Sequence, residues 1–167
     1  MPSRKFYLER LNIESEVTRQ VLKALPGNRL DYKPDERCPS AHQLAWLLAY
    51  ELQSNLDVVS EGKANWKNIP PPLDEILRAY TENVAKLGAG VEKLDEKTWE
   101  NKAQFLYEGQ LIAEHTVREF LWLTLFDSIH HRGQITAYLR PMGGKVPAIY
   151  GPSADEPGGH GAWRSLE

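Results

Sequence analysis

The chain has 167 residues, of which 41% are hydrophobic and 26% charged, with a formal net charge of -3 and a pI near 6.0. This length suits one domain with its own core, and the slightly acidic balance gives no electrostatic reason to expect nucleic acid or a membrane surface as a partner. The single cysteine, Cys38, cannot form an internal disulfide, which favours a reducing compartment. Because no apolar run approaches the ~20 residues of a membrane span and the N-terminal residues lack a signal-peptide core, we expect a soluble cytoplasmic protein.

Hydrophobic residues recur at helical spacing in four stretches that are separated by proline, glycine and charged residues. The first three predicted helices cover residues 3–25, 41–61 and 73–94. Pro26 and Gly27 end the first helix. Ser40 and Gln43 stand at the spacing of a capping box, in which each side chain accepts a bond from an unpaired backbone amide, and this places the start of the second helix.

The fourth predicted helix is the longest and covers residues 112–140. Residues 95–109, which precede it, mix charged and aromatic residues without a clear period, and we predict a loop with at most a short extended piece at 104–106. Residues 141–167 are too rich in proline and glycine for regular structure. The predicted fold class is therefore all-α, a single-domain four-helix bundle with an irregular C-terminal tail.

Two polar residues interrupt the apolar stripe of the fourth helix. Asp127 and His131 are four residues apart, roughly 40° around the helix and roughly 6 Å along it, so both side chains can point at one atom in a bundle core. This geometry suits a metal ion. His130 lies about 100° away and is expected to face a neighbouring helix or solvent, and His115 is expected to lie about four to five turns from His131, too far to share its site.

A family resemblance is carried by residues 130–157. The HHRGQ element at 130–134, followed by Tyr-Leu-Arg at 138–140, resembles the strongest local signature of the DinB-like superfamily, which is named after a damage-inducible bacterial protein; residues 39–51 resemble its second helix. The resemblance implies an up-down-down-up four-helix bundle, often a homodimer, with a divalent metal ion held by three residues between the helices. For some members it also implies the use of glutathione, mycothiol or bacillithiol.

The resemblance extends to the metal ligands, residue by residue. His131 matches the last ligand. Asp127 stands four residues earlier, where the family usually has a second histidine, and its carboxylate still offers an oxygen ligand. The histidine of the second helix falls at Leu47, which cannot bind metal. Glu51, one turn further along the same face, can reach the same space and complete a site of one histidine and two carboxylates. Such a site suits zinc, nickel, manganese or iron.

Two functions remain open from this resemblance. The first is a metal-dependent enzyme that transfers a low-molecular-weight thiol to an electrophile or assists an isomerisation, because the ion lowers the pKa of a thiol or water. Arg132 and Arg140 then bind the carboxylates of the thiol; otherwise they cap helix-end carbonyls and pair with nearby acids. The second is a non-catalytic dimeric bundle for ligand binding or scaffolding, in which Asp127 and His131 remain as a hydrogen-bonded pair.

Overall fold

The computed structural model describes residues 3–66 and 72–162. This part of the chain is mainly helical and contains five helices and three strands. Four helices are long: α1 (Arg4–Lys23), α2 (Ala41–Glu61), α3 (Leu73–Lys93) and α5 (Val117–Leu139). The helix α4 (Glu96–Trp99), between α3 and α5, is a single turn. The outer ends of the predicted domain, residues 1–2 and 163–167, and the segment 67–71 lie outside the described residues.

Capping boxes mark where two of the long helices begin. Ser40 and Gln43 form the predicted capping box at the start of α2, and Gly62, with a φ of 69°, ends that helix in the left-handed conformation. Thr116 and Glu119 form a second capping box before α5. The second box moves the start of the last helix from the predicted residue 112 to residue 117.

A three-stranded sheet corrects the all-α prediction. Its strands are β1 (Lys63–Trp66), β2 (Lys102–Tyr107) and β3 (Gln110–Thr116). β1 pairs in parallel with β2, and β2 pairs antiparallel with β3. The predicted loop at 95–109 therefore contains α4 and β2. The register irregularity between Phe105 and Leu106 interrupts the two-residue alternation by which a strand is recognised in a sequence.

The four long helices surround a common core. α2 packs against α3 and α5, and α1 packs against the same two helices. Arg4 at the start of α1 donates to the carbonyl of Leu94 just after α3, so these two helices run in opposite directions. Near the same end of α1, the ring of Phe6 stacks 5.9 Å from that of Trp122 in the first half of α5, so α1 and α5 run the same way. Fully buried side chains come from all four helices: Tyr7, Leu48, Leu87, Leu121 and Ile135.

After α5 the chain follows the surface of this core. Between residues 140 and 162 there is neither strand nor α-helix, as predicted, and Met142 and Ala148 of this segment are buried. The hydroxyl of Tyr150 donates to Glu14 Oε2 over 2.9 Å, which ties the segment to α1. None of the helices in the described part of the chain combines the length and apolarity needed to cross a membrane.

Candidate metal centre

Three side chains from two helices meet in the space between α2 and α5. Glu51 comes from α2, and Asp127 and His131 come from adjacent turns of α5. One candidate ligand atom of each lies within 4.8 Å of the other two. The Thr124 hydroxyl of α5 donates to Asn55 Oδ1 of α2 over 2.7 Å, and Ser128, one turn later on α5, donates to Glu51, one turn earlier on α2. The two helices therefore run antiparallel, which brings the three side chains to one level. The structure thus brings together the three residues that the sequence singled out.

Glu51 occupies an environment that disfavours its ionised form. Its side chain is buried, with the residue only 2% exposed. Oε2 accepts a hydrogen bond from the Ser128 hydroxyl, whereas Oε1 has no hydrogen-bond partner among the residues that the structure describes. Burial raises the pKa of Glu51 well above its ordinary value, the Ser128 hydrogen bond opposes this, and the nearby Asp127 adds to it. A buried oxygen without a partner costs roughly 1–3 kcal/mol, and a cation would compensate for it.

His131 is held so that one ring nitrogen faces the carboxylates. Its Nδ1 lies 2.9 Å from Gln134 Oε1, and because an amide oxygen only accepts, Nδ1 donates. Its Nε2 lies 3.4 Å from Asp127 Oδ1. The hydrogen bond to Asp127 raises the pKa of His131 although burial lowers it, and the same bond lowers the pKa of Asp127. A histidine whose Nδ1 proton is held by an acceptor presents Nε2 in the way that metal-ligating histidines do.

These features fit a divalent metal ion. The group offers one imidazole nitrogen and oxygens from two carboxyl groups. The Oε1 atom of Glu51 is free to bind a metal ion, because no group in residues 3–66 and 72–162 forms a hydrogen bond with it. Ser128 and Gln134 orient two of the three side chains from outside the group. Three ligands leave positions open for water or substrate, and the mixed set is compatible with zinc, nickel, manganese and iron alike.

A cavity of about 710 Å³ lies beside this group, between α2, α5 and the sheet. Glu51 and Asp127 form part of its wall. Leu47 also lines it, one turn before Glu51, so the residue at the place of the expected family histidine contributes apolar surface instead. Aromatic side chains from the sheet and α5 supply much of the remaining wall: Trp66, Phe105, Tyr107, Phe120 and Phe126.

Two further histidines line the cavity, and one of them, His115, lies in a strand and not in the predicted helix. His115 belongs to β3 and not to α5, and because the sheet lies against both helices it shares the cavity with Glu51 and Asp127. His130 lines the same cavity, and its ring lies 5.1 Å from that of His131. Neither belongs to the convergent ligand group found in the described residues. The Thr116 capping box is the sequence signal that would have placed His115 before the helix.

Arg132 and Arg140, considered as ligands for a thiol cofactor, do not line the cavity. Arg132 is 2% exposed and donates to Glu14 Oε2 over 2.7 Å and to the Tyr150 hydroxyl over 2.6 Å. Arg140 donates through Nε to Asp155 Oδ2 over 3.0 Å. The structure instead engages both arginines with acidic residues of the protein, in agreement with the interpretation that they pair with nearby acids.

The metal-free site leads to a pH prediction. The pKa of Glu51 is raised above 4.5 and that of His131 above 6.5, whereas the lowered pKa of Asp127 matters only at more acid pH. Above about pH 5 the folded chain therefore binds more protons here than the unfolded chain. Both contributions to stability are therefore complete at low pH and are lost as the pH rises through the raised pKa values. With a chelator present, we expect the free energy of unfolding to fall from about pH 5 to about pH 8, and Glu51→Gln to reduce this slope.

Urea unfolding at several pH values measures the slope. Glu61→Gln is the matched control, because Glu61 is an exposed acid at the end of the same helix. A slope that is the same in wild type and Glu51→Gln would show that Glu51 does not take up a proton on folding.

Fold and site together define a mainly helical protein with a candidate metal centre at the edge of an aromatic cavity. Residues 1–162 match the model of the DinB family, and the chain belongs to this family. It is 25% identical over 154 residues to the uncharacterized protein YrdA of Bacillus subtilis (strain 168), with 90% of this chain and 89% of YrdA covered.

Two solved structures extend the comparison. The crystal structure of the DinB-like protein YjoA from Bacillus subtilis matches with a TM-score of 0.68 at 23% identity and covers 86% of this chain and 96% of YjoA. The mycothiol-dependent maleylpyruvate isomerase matches with a TM-score of 0.58 at 10% identity, over 87% of this chain and 63% of the isomerase. At these identities the two matches show the fold alone.

Proposed function

We propose that this chain is a metal-dependent enzyme that uses a low-molecular-weight thiol, either transferring it to an electrophile or assisting an isomerisation. The observation that carries the proposal is the convergence of Glu51, Asp127 and His131, with a buried carboxyl oxygen left without a partner in the described structure. The similarity in fold to an isomerase that is named as mycothiol-dependent supports the choice of a thiol.

The proposal includes the architecture and setting that the family resemblance implies. The four long helices would form the up-down-down-up bundle, with the sheet added over the seam between α2 and α5. We also propose a cytoplasmic homodimer. Leu111 and Ile112 of β3 are 57% and 59% exposed, and such apolar surface is of the kind that a second copy would cover.

The residues around the centre would have separate tasks. A divalent ion held by Glu51, Asp127 and His131 supplies Lewis-acid activation, which lowers the pKa of a thiol or water. Ser128 holds the carboxyl group of Glu51 through Oε2, and Gln134 holds the ring of His131 through Nδ1. The aromatic walls offer an apolar surface on which an electrophile would lie next to the carboxyl groups.

Neither reaction changes the oxidation state of the thiol sulfur. In transfer, the sulfur forms a bond to the electrophilic carbon, the leaving group departs with its bonding electron pair, and the thiol proton passes to solvent. In assisted isomerisation, the anionic sulfur adds to one carbon of a conjugated double bond, whose π electrons move onto the conjugated acceptor group. The remaining single bond rotates, the π bond forms again, and the sulfur departs with the electron pair of the carbon–sulfur bond. Both need an anionic sulfur at neutral pH.

The competing function is a non-catalytic bundle for ligand binding or scaffolding, with a degraded metal site. The observation that favours it is Leu47, which places an apolar side chain in the cavity where the family usually has a metal-binding histidine. Asp127 and His131 would then act as an ion pair near the protein surface.

An activity measurement separates these functions. We expect metal-loaded wild type to accelerate the conjugation of glutathione, mycothiol or bacillithiol to 1-chloro-2,4-dinitrobenzene, which releases chloride and a strongly absorbing thioether. Glu51→Gln should lower the rate by at least about 100-fold, because it removes a metal ligand. Loss of a group that only orients a ligand already lowers activity by up to about 100-fold. Glu61→Gln should be unaffected. A wild type that accelerates the reaction with none of the three thiols would favour the non-catalytic bundle.

A further inference from the structure

Ser54 has a buried hydroxyl with no bond to the rest of the protein. It lies on α2 three residues after Glu51, is 2% exposed and lines the cavity. Within residues 3–66 and 72–162, no group hydrogen-bonds its Oγ. A spacing of three places Ser54 and Glu51 on the same face of the helix. The hydroxyl is therefore a second unpartnered polar group beside the candidate metal centre.

The other serine and threonine hydroxyls of the helices give a comparison, although the buried Tyr7 hydroxyl of α1 also has no partner among the described residues. Four of them donate to the carbonyl four residues earlier in their own helix: Ser15, Ser60, Thr81 and Thr124. Thr124, which also lines the cavity, donates in addition to Asn55 Oδ1. Buried hydroxyls are normally paired. Because Ser54, unlike Tyr7, lines the cavity, its unpaired Oγ points to a partner that comes from outside the chain.

The cavity also restricts the charge and shape of such a partner. Among the described residues that line it, none is lysine or arginine; its carboxyl groups belong to Glu51 and Asp127, and its imidazoles to His115 and His130. An anionic molecule would find no ammonium or guanidinium group there and would meet these carboxyl groups. A flat ring, in contrast, would pack against Trp66, Phe105 and Phe120.

We propose that the cavity binds an uncharged aromatic carbonyl compound and that Ser54 determines this specificity by donating its hydroxyl to the carbonyl oxygen. That this compound is the electrophile of the reaction rests on the proposed function. Its binding to the cavity requires no metal ion. The carbonyl group bonded to Ser54 would lie on the side of the cavity where Glu51 and Asp127 meet, with the ring among the aromatic side chains.

Three probes with one ring system test this proposal on the full chain in the presence of a chelator. They are 2-acetylnaphthalene, which has the carbonyl group, 2-ethylnaphthalene, which lacks it, and 2-naphthoate, which is anionic. Dissociation constants come from ligand-observed NMR titrations. For wild type we expect 2-acetylnaphthalene to bind about fivefold more tightly than 2-ethylnaphthalene, and 2-naphthoate to bind most weakly.

The variants identify the hydrogen bond. Ser54→Ala should weaken 2-acetylnaphthalene about fivefold, leave 2-ethylnaphthalene unchanged, and fold at least as stably as wild type because it removes an unpaired buried hydroxyl. Ser60→Ala is the matched control, since Ser60 is exposed on the same helix and donates to the Leu56 carbonyl. Equal weakening of both probes by Ser54→Ala, tightest binding of 2-naphthoate, or no binding of any probe would overturn the proposal.

The outcome is separable from that of the enzymatic proposal. Because the titrations contain a chelator, they do not depend on metal or on catalysis. If the chain has no thiol-transfer activity but binds the probes in the expected order, the proposed function is refuted and the proposed ligand class is supported. If the chain is active but does not distinguish the probes, the proposed function is supported and the proposed ligand class is refuted.

Discussion

Arg132→Ala is expected to lower the free energy of unfolding by about 3–5 kcal/mol, the typical cost of breaking a buried ion pair by removing one partner. For a chain of this length the melting temperature should fall by roughly 6–20 °C. The reason is that Arg132 and Glu14 are 2% and 7% exposed, so the variant leaves a carboxyl group buried without its guanidinium partner. It also removes the bond from Arg132 to Tyr150 and so weakens the attachment of the C-terminal segment.

Urea unfolding of Arg140→Ala provides the comparison. Arg140, at the end of the same helix, also pairs with an acid, but its side chain is 54% exposed. The free energy of unfolding should therefore fall by less than about 1 kcal/mol. The double variant Glu14→Gln/Arg132→Met should recover much of the lost stability, because it leaves no unpaired buried charge. If Arg132→Ala and Arg140→Ala have the same small effect, the buried pair does not stabilise the fold as described.

Glu51→Leu is expected to change stability and metal binding in opposite directions. Without metal, the variant should be more stable than wild type by about 1–3 kcal/mol, because it replaces a buried carboxyl oxygen that has no partner in the described structure. Its metal affinity should fall by at least about 100-fold. Opposite signs are the behaviour expected of a ligand that is retained for binding and not for packing.

Urea unfolding in a chelator and a metal titration measure the two effects, and Glu61→Gln should alter neither. A less stable metal-free Glu51→Leu would mean that the carboxyl group already has adequate partners within the protein. The argument for a cation at this position would then lose its main support.

The long helices can be predicted from the sequence because the signals that form them are local. Apolar residues recur at helical spacing along each helix, and the Ser40 capping box marks the start of α2 at the predicted residue. The sheet could not be predicted in this way. β1 has four residues, the alternation of β2 is broken next to Phe105, and much of β3 is exposed, so no apolar pattern marks these strands.

The candidate site divides along the same line. The spacing of Asp127 and His131 on one helix places both side chains on one face without knowledge of the fold. The position of Glu51 depends on how α2 packs on α5, and the family resemblance supplied that relation. The burial of Arg132 depends on Glu14, 118 residues away, and the aromatic cavity depends on the sheet. Such long-range contacts leave no periodic signal in the sequence.

The most direct test of the central claim is elemental analysis of protein purified without a polyhistidine tag and incubated separately with zinc, nickel and manganese. The account predicts near-stoichiometric metal in wild type and Glu61→Gln with at least one of these ions, and its loss in both Glu51→Gln and His131→Ala. Wild type that remains metal-free with all three ions, or Glu51→Gln that retains the metal, would contradict the three-residue centre.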